Sequence, residues 1–502
     1  MVILIQSALV LRESLKAHPA DLLVEEGTIR AIQPSGAITD ENLERIDATN
    51  QLLVPGLVNA HTHSHGALGK GLIGDRVPLE VFLSGTGAVN GSRNLDDKRL
   101  SATLSAVELV RKGCTAAFDL FVEIPLPTRD GLDAVAEAYA TVGMRAVIAP
   151  MIADRTLYQA LPGLIESLPA ALQGQVRQLA TTPFEMSIAA CRDILQHWAF
   201  DRARQRPALG PTIPLHCSDA FLVACRDLAH EYDVPSQTHL AETKAQAVLG
   251  LKKFGRSLTR HLEELGFLGP TCSAAHGIWL DDDDIARLAA TGTSVVHNPM
   301  SNLRIGSGLA AARQLLSAGV RLGIGTDASN TSDGQNMFEA LRLAAFLSRV
   351  CSPDSSEWLS AEDVFRAATR SSAEILGFDK LGVLEPGYSA DIVFLDLQHI
   401  NYVPLRDPLL QVVFAENGAA IDSVMIDGRF VLRRGRMLTV DETRLRAQAT
   451  EAVARLDQAN APARHQADAV ADLVGRFCLG QARLPFAPHR RQPDDQKVGN
   501  GL

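Results

Sequence analysis

The 502-residue sequence predicts an α/β fold: a (β/α)8 TIM barrel joined to a small β-sandwich built from both ends of the chain. Three observations lead there. Across residues 56–381, short apolar runs alternate with longer helical patterns about eight times, the signature of a parallel sheet wrapped by helices. The flanking segments 1–55 and 382–440 read as hairpins instead. No G-x-G-x-x-G follows an early strand, which argues against a dinucleotide-binding open sheet.

Taken in order, the apolar start Met1–Val10 runs directly into Arg12 and Glu13 and lacks a basic leader, so it reads as a strand and not as a signal peptide. Glu26-Gly27 sits at a hairpin turn between two short runs. The barrel strands are read at Leu53–Asn59, Thr115–Asp119, Arg145–Pro150, Ser236–Leu240, Ala274–Gly277, Ser294–His297 and Arg321–Gly325. Hairpin grammar returns at Gly387–Asp396 and Val424–Leu432, with Asp427-Gly428 at the turn, and these runs are expected to share a sheet with the N-terminal ones. Residues 441–502 form an extension, an Ala-rich helix to about residue 476 followed by a polar, disordered tail from Pro488.

Bulk composition narrows the partners. With 46% hydrophobic and 21% charged residues the chain is globular, and its net charge of −10 offers no basic surface for nucleic acid or an anionic membrane. No run of about 18 apolar residues suggests a membrane span. Seven scattered cysteines without a C-x-x-C spacing suggest neither disulfides nor a thiolate metal site, so a reducing, cytoplasmic setting is expected. A small molecule is the expected ligand.

In a TIM barrel the chemistry sits at the C-terminal ends of the strands. Several runs here end in histidine. In Asn59-Ala-His61-Thr-His63 the two imidazoles point to the same side of a strand, because side chains repeat every two residues. Gln237-Thr-His239-Leu-Ala-Glu242 adds a third nitrogen and a carboxylate just past a strand, and Gly325-Thr-Asp327 offers an oxygen ligand. Three nitrogens and one oxygen around a divalent ion leave a position for water, the open arrangement of catalytic zinc. His276, after Ala274-Ala275, then reads as a group that polarises the substrate.

These residues resemble the amidohydrolase superfamily, in its one-metal branch of S-adenosylhomocysteine deaminases, guanine deaminases and triazine hydrolases. The resemblance runs from residue 1 to about 440 and rests on Val54-Pro-Gly-Leu-Val-Asn-Ala-His-Thr-His63, Gly113-Cys-Thr-Ala-Ala-Phe-Asp119, Thr238-His-Leu-Ala-Glu-Thr243, Ala275-His276, Val296-His-Asn-Pro-Met-Ser-Asn302 and Gly323-Ile-Gly-Thr-Asp327. It implies His61, His63, His239 and Asp327 as ligands of one divalent metal, zinc or else Fe2+. It also implies Glu242 as proton shuttle with Asp327, and His276 as the substrate-polarising residue. A homo-oligomer is implied by the same analogy. Two-metal relatives need a lysine near Ala208–Ser218, and none occurs there. In that segment Thr212 stands where the resemblance calls for a substrate-binding histidine, and His216 either substitutes for it or caps a helix with Ser218. Dechlorinating relatives tend to lose the glutamate or the aspartate, whereas both are kept here.

The expected activity is therefore deamination of a small, nitrogen-rich heterocycle by a metal-activated water. The alternatives are hydrolysis of another C–N bond (an acyclic amidine, a urea or an N-alkyl triazine) and a non-catalytic metal-binding paralogue. Candidate substrate contacts are His65, Arg76, Phe82, Thr212, His216, His276 and Asn302. For His65, and for Arg76 and Phe82 in the stretch 74–82, the ordinary reading as plain loop residues stands beside the functional one.

Overall fold

The computed structural model describes residues 2–39 and 42–488; the expected disordered tail, apart from Pro488, lies outside the described residues. Two parallel sheets carry the middle of the chain. One contains Leu57–His63, Cys114–Val122, Arg145–Ile152, Gln205–Pro207, Gly210–Pro211 and Asp327–Ala328, and the other runs in order through Ser236–Leu240, Cys272–His276, Ser294–His297 and Leu322–Ile324. They meet where Leu209 bridges Ser236, and again where the chain leaves the second sheet at Ile324 and re-enters the first at Asp327. Both faces are covered. In Arg145–Ile152, Ala146 and Ile148 join one buried cluster while Val147 and Ala149 join another, which explains why such strands read as unbroken apolar runs.

The sequence run Leu53–Asn59 is split between two sheets. Gln51–Pro55 pairs antiparallel with Ile392–Asp396, and Leu57–His63 belongs to the parallel sheet. Gly56 makes the step, since a Cβ there would fall 2.2 Å from Thr115 Oγ1. The Gln205–Pro207 and Gly210–Pro211 strands carry too few apolar residues to have stood out in the sequence.

The terminal segments form one continuous nine-stranded sheet, with N-terminal and C-terminal strands joined through Val54 opposite Val393. It has its own core, including Ile5, Val10, Leu22, Leu53, Phe394 and Met425. Both turns read from the sequence have two successive positive φ angles, 49° and 82° at Glu26-Gly27 and 53° and 71° at Asp427-Gly428, as tight hairpins require. Their tips abut: a Cβ on Gly428 would lie 2.9 Å from Gly27 Cα. Behind them Arg145 ties this sheet to the parallel one, donating to Asp391 (3.3 Å), Ser389 (2.7 Å) and Asp427 (3.1 Å).

Helix Glu442–Ala482 packs across the short helices Leu79–Ser84 and Thr86–Asn90. Arg455 pairs with Asp97, and Asn460 donates to the Val89 carbonyl at 3.3 Å. Among the described residues, no helix is long and apolar enough to cross a membrane.

Candidate metal centre and active site

The polar strand ends converge. His61, His63, His239, His276 and Asp327 are all buried, and His63 Nε2 lies 3.2 Å from both His239 Nε2 and Asp327 Oδ1. His61 Nε2 is 3.5 Å from the same Asp327 oxygen. The ring of His61 stands 4.7 Å from that of His63 and 4.9 Å from that of His239, centre to centre.

What these nitrogens can do is set on the far side of each ring. His61 Nδ1 donates to Gln237 Oε1 (2.6 Å), His63 Nδ1 to the Leu120 carbonyl (2.7 Å) and His239 Nδ1 to the Thr212 carbonyl (2.6 Å). The Gln237 amide is oriented by its own donation to the Ala60 carbonyl at 3.0 Å. Carbonyl oxygens only accept, so each Nδ1 carries the proton and each Nε2 turns a lone pair toward one point. Buried lone pairs that face each other at 3.2 Å repel, and His61 Nε2 has no hydrogen-bond partner at all. A cation resolves both problems. His61, His63 and His239 form one donor set that could hold a metal ion, and His61, His276 and Asp327 form another that shares His61.

The backbone is strained where it serves this cluster. His276 and Asp327 adopt φ of 73° and 60°, a region that side-chain-bearing residues rarely occupy. Surrounding bonds hold them there. Asp327 Oδ2 accepts from Ser301 Oγ (2.6 Å), its carbonyl accepts from Gln335 Nε2 (2.9 Å), and His276 Nδ1 lies 2.9 Å from Asn302 Oδ1.

Glu242 lies beyond the histidines, buried, with Oε1 3.7 Å from His276 Nε2. Burial, and then the Asp327 and Glu80 carboxylates, push its proton affinity well above the ordinary carboxylate range. Burial also holds His276 down at about 4, so its ring is neutral at pH 7. These groups open on a chamber of about 50 Å³ whose apolar walls include Leu79, Phe82, Leu83, Met151 and Ile213. A larger cavity, about 640 Å³, lies between Leu95–Arg111 and the C-terminal helix, but it contains none of the histidines and no comparable donor set.

His65, Phe82 and Thr212 line the chamber. His216 lines an adjoining cavity instead, and Asn302 stands behind His276. Arg76 is the correction: it is exposed on a surface loop and borders neither space, because the chain turns inward only at Pro78 to start the helix Leu79–Ser84. That helix brings in Glu80, which the sequence reading passed over; it is buried and accepts a hydrogen bond from Thr243 Oγ1. Gln237 was missed too, although its place two residues before His239 put it on the same side of the strand.

Comparison with known proteins agrees with this picture. A model of the amidohydrolase family matches residues 52–431. The chain is 34% identical over 412 residues to a 5'-deoxyadenosine deaminase of Methanothermobacter thermautotrophicus, covering 82% of this chain and 89% of the relative. It is 32% identical over 459 residues to a 5-methylthioadenosine/S-adenosylhomocysteine deaminase of Desulforudis audaxviator, covering 91% and 99%. Among solved structures, a zinc-bound adenosine deaminase from Xanthomonas campestris superimposes with a TM-score of 0.80 at 27% identity, over 91% of this chain and 98% of that one. A zinc-bound atrazine chlorohydrolase mutant from Arthrobacter aurescens, complexed with atraton, gives 0.80 at 27%, over 90% and 100%.

Proposed function

The chain belongs to the amidohydrolase family, and on that premise we propose that it hydrolytically deaminates an aminopurine nucleoside, releasing ammonia. It is a metal-dependent hydrolase of carbon–nitrogen bonds. The two parallel sheets are read as one closed (β/α)8 barrel spanning residues 56–381, with the metal cluster at the C-terminal ends of its strands. Segments 1–55 and 382–440 make the second unit, and 441–502 the extension.

The observation that carries this reading is Glu242, a buried carboxylate of raised proton affinity that lines the same chamber as His63, His239 and Asp327, with Oε1 3.7 Å from His276 Nε2. A divalent metal, read as zinc, supplies Lewis acidity that brings the pKa of a water molecule toward about 7. His61, His63, His239 and Asp327 would hold it. Glu242 takes the proton that the attacking water gives up and returns it to the departing amine, a task suited to a carboxylate whose affinity for protons is raised. Asp327, fixed by Ser301, aligns the water, and His276, held by Asn302 and 3.7 Å from Glu242, is the group read as polarising the substrate. Leu79, Phe82 and Met151 give a flat ring an apolar slot. The nucleoside class is supported by the named activities of the two curated relatives. Thr212 in place of the histidine called for by the resemblance means that the sugar or ring edge is contacted differently here.

The test is a panel of aminopurine nucleosides, guanine, pterins, aminopyrimidines and N-alkyl triazines, scored for ammonia against alkylamine on protein of known metal content. Ammonia from the nucleosides is expected. Alkylamine from the triazines would transfer the assignment to another C–N bond, and protein that binds no metal near one equivalent would reduce the chain to a non-catalytic paralogue. Glu242→Gln should keep the metal and lose at least a hundredfold in kcat; parental turnover in that variant would remove Glu242 from the mechanism.

A further inference from the structure

Among the described residues nothing donates a hydrogen bond to the Glu242 carboxylate, and His276 Nε2, at 3.7 Å, stands beyond hydrogen-bonding reach. The carboxylate is therefore aimed by the backbone beneath it. That backbone is held under strain: Ala241 adopts φ of 46°, and its carbonyl accepts from the Trp279 amide at 2.9 Å. Downstream the turn closes on itself. The Glu242 amide donates to Gln246 Oε1 at 3.1 Å, and Thr243 Oγ1 accepts from the Gln246 amide at 3.2 Å, capping the helix Lys244–Phe254. The tie from this turn to the chamber wall is the Thr243 hydroxyl, which donates to Glu80 Oε1. Glu80 stands on the helix Leu79–Ser84, whose Leu79, Phe82 and Leu83 line the chamber. The C-terminal helix backs it: a Cβ on Gly475 would fall 3.2 Å from Val81 Cγ2, and Cys478 lies close enough to feel the Glu80 charge. Glu80 is buried, and among the described residues no lysine or arginine pairs with it. A buried carboxylate held by one hydroxyl loses more in hydration than that bond returns, so stability alone does not account for an acid here.

We propose that Glu80 is a positioning residue: through Thr243 it locks the turn that aims Glu242, so that this carboxylate is in line for proton transfer only while the helix Leu79–Ser84 is seated against the chamber. The inference rests on the reading of Glu242 as proton carrier and adds to it the residue that holds it in place. A displacement of about 1 Å at the reacting groups can cost about a hundredfold in rate while the rest of the binding surface is unchanged. The loss should therefore fall on kcat and leave binding and the metal alone.

The experiment uses the metal-loaded full-length enzyme, with kcat and KM taken from ammonia release across the substrate panel above. Glu80→Met keeps the length of the side chain without its acceptor, and it should lower kcat about ten- to a hundredfold while KM stays within about twofold and metal content is unchanged. Glu80→Gln still offers an oxygen to the Thr243 hydroxyl and should recover most of the rate. Thr243→Val, which also removes the helix cap, should lose at least as much as Glu80→Met, and the double variant no more than Thr243→Val alone, because both cut one bond. In a Glu242→Gln background Glu80→Met should add nothing. Hydrogen–deuterium exchange over residues 240–246 reads the same link without turnover: faster in Glu80→Met, parental in Glu80→Gln. Parental kcat or parental exchange in Glu80→Met, a loss confined to KM or metal content, additive losses in the double variant, or no rescue by Glu80→Gln would overturn the proposal. Parental turnover in Glu242→Gln alone would instead remove the proton carrier on which it rests. Faster exchange in Glu80→Met with no member of the panel converted would keep the link and sink the deaminase reading.

Discussion

Gln237 makes no contact with the chamber, yet metal binding should depend on it. Its Oε1 accepts the proton of His61 Nδ1 at 2.6 Å while its Nε2 donates to the Ala60 carbonyl at 3.0 Å and to Ser273 Oγ at 2.9 Å, all fully buried. Gln237→Leu has nearly the same volume but removes all three bonds. The His61 ring then loses the acceptor that fixes its tautomer, and the proton is free to move to Nε2, where it blocks coordination. Loss of such an outer partner typically weakens metal binding about 10–100-fold, or about 1.4–2.7 kcal/mol. The metal-free protein should also lose about 1–3 kcal/mol, because buried polar groups are left without partners. Gln237→Glu, which retains the acceptor, should bind metal far better than the leucine variant. Competition with a chromophoric chelator gives the metal affinity, and urea unfolding of the metal-free protein gives the stability. Parental metal affinity in Gln237→Leu would refute the tautomer argument, whatever happened to stability.

Three further outcomes follow from the packing. His216 is depressed from 6.5 to about 4 by burial, then by Lys253, so the unfolded chain takes up its proton first as pH falls. Its contribution is fully present above pH 6.5 and is lost toward pH 4, by up to about 3 kcal/mol, and His216→Asn should flatten that part of the stability profile measured by denaturant unfolding; an unchanged profile would count against it. Arg145→Met breaks a buried set of ion pairs between the parallel and terminal sheets and should cost about 3–5 kcal/mol in unfolding free energy, with metal affinity unaltered in the folded fraction. Gly56→Ala forces a methyl group onto Thr115 and should cost at least about 1–3 kcal/mol by thermal or urea unfolding, and Thr115→Ser, which deletes one of the clashing methyls, should recover part of that loss.

The ease with which parts of this protein are read from its sequence follows the range of the interactions involved. Alternation along Asn59–His63 puts His61 and His63 on one side through local geometry alone, so the pair is visible in the chain. Both hairpin turns are equally local, since Glu26-Gly27 and Asp427-Gly428 answer to backbone requirements of two residues. The family motifs extended this reach to His239, His276 and Asp327, whose meeting no local pattern could announce.

What escaped depends on how distant segments pack. Arg76 and Glu80 lie four residues apart in one loop, and nothing in their own neighbourhood says that the chain turns inward between them; that is decided where Leu79 and Phe82 find an apolar chamber and the C-terminal helix closes over the outside of Leu79–Ser84. The single run Leu53–Asn59 likewise divides between two sheets because Gly56 meets Thr115, a partner 59 positions away. The same reasoning applies to chemistry. The metal cluster sits on strand ends, where position follows from the ladder, and is therefore legible, while the chamber beside it is walled in part by the helix Leu79–Ser84, whose packing is set from the opposite side. Substrate choice in this chain should thus respond to changes in segment 79–86, which lines the chamber, that leave the metal cluster intact, as the substrate panel and metal content read side by side would show.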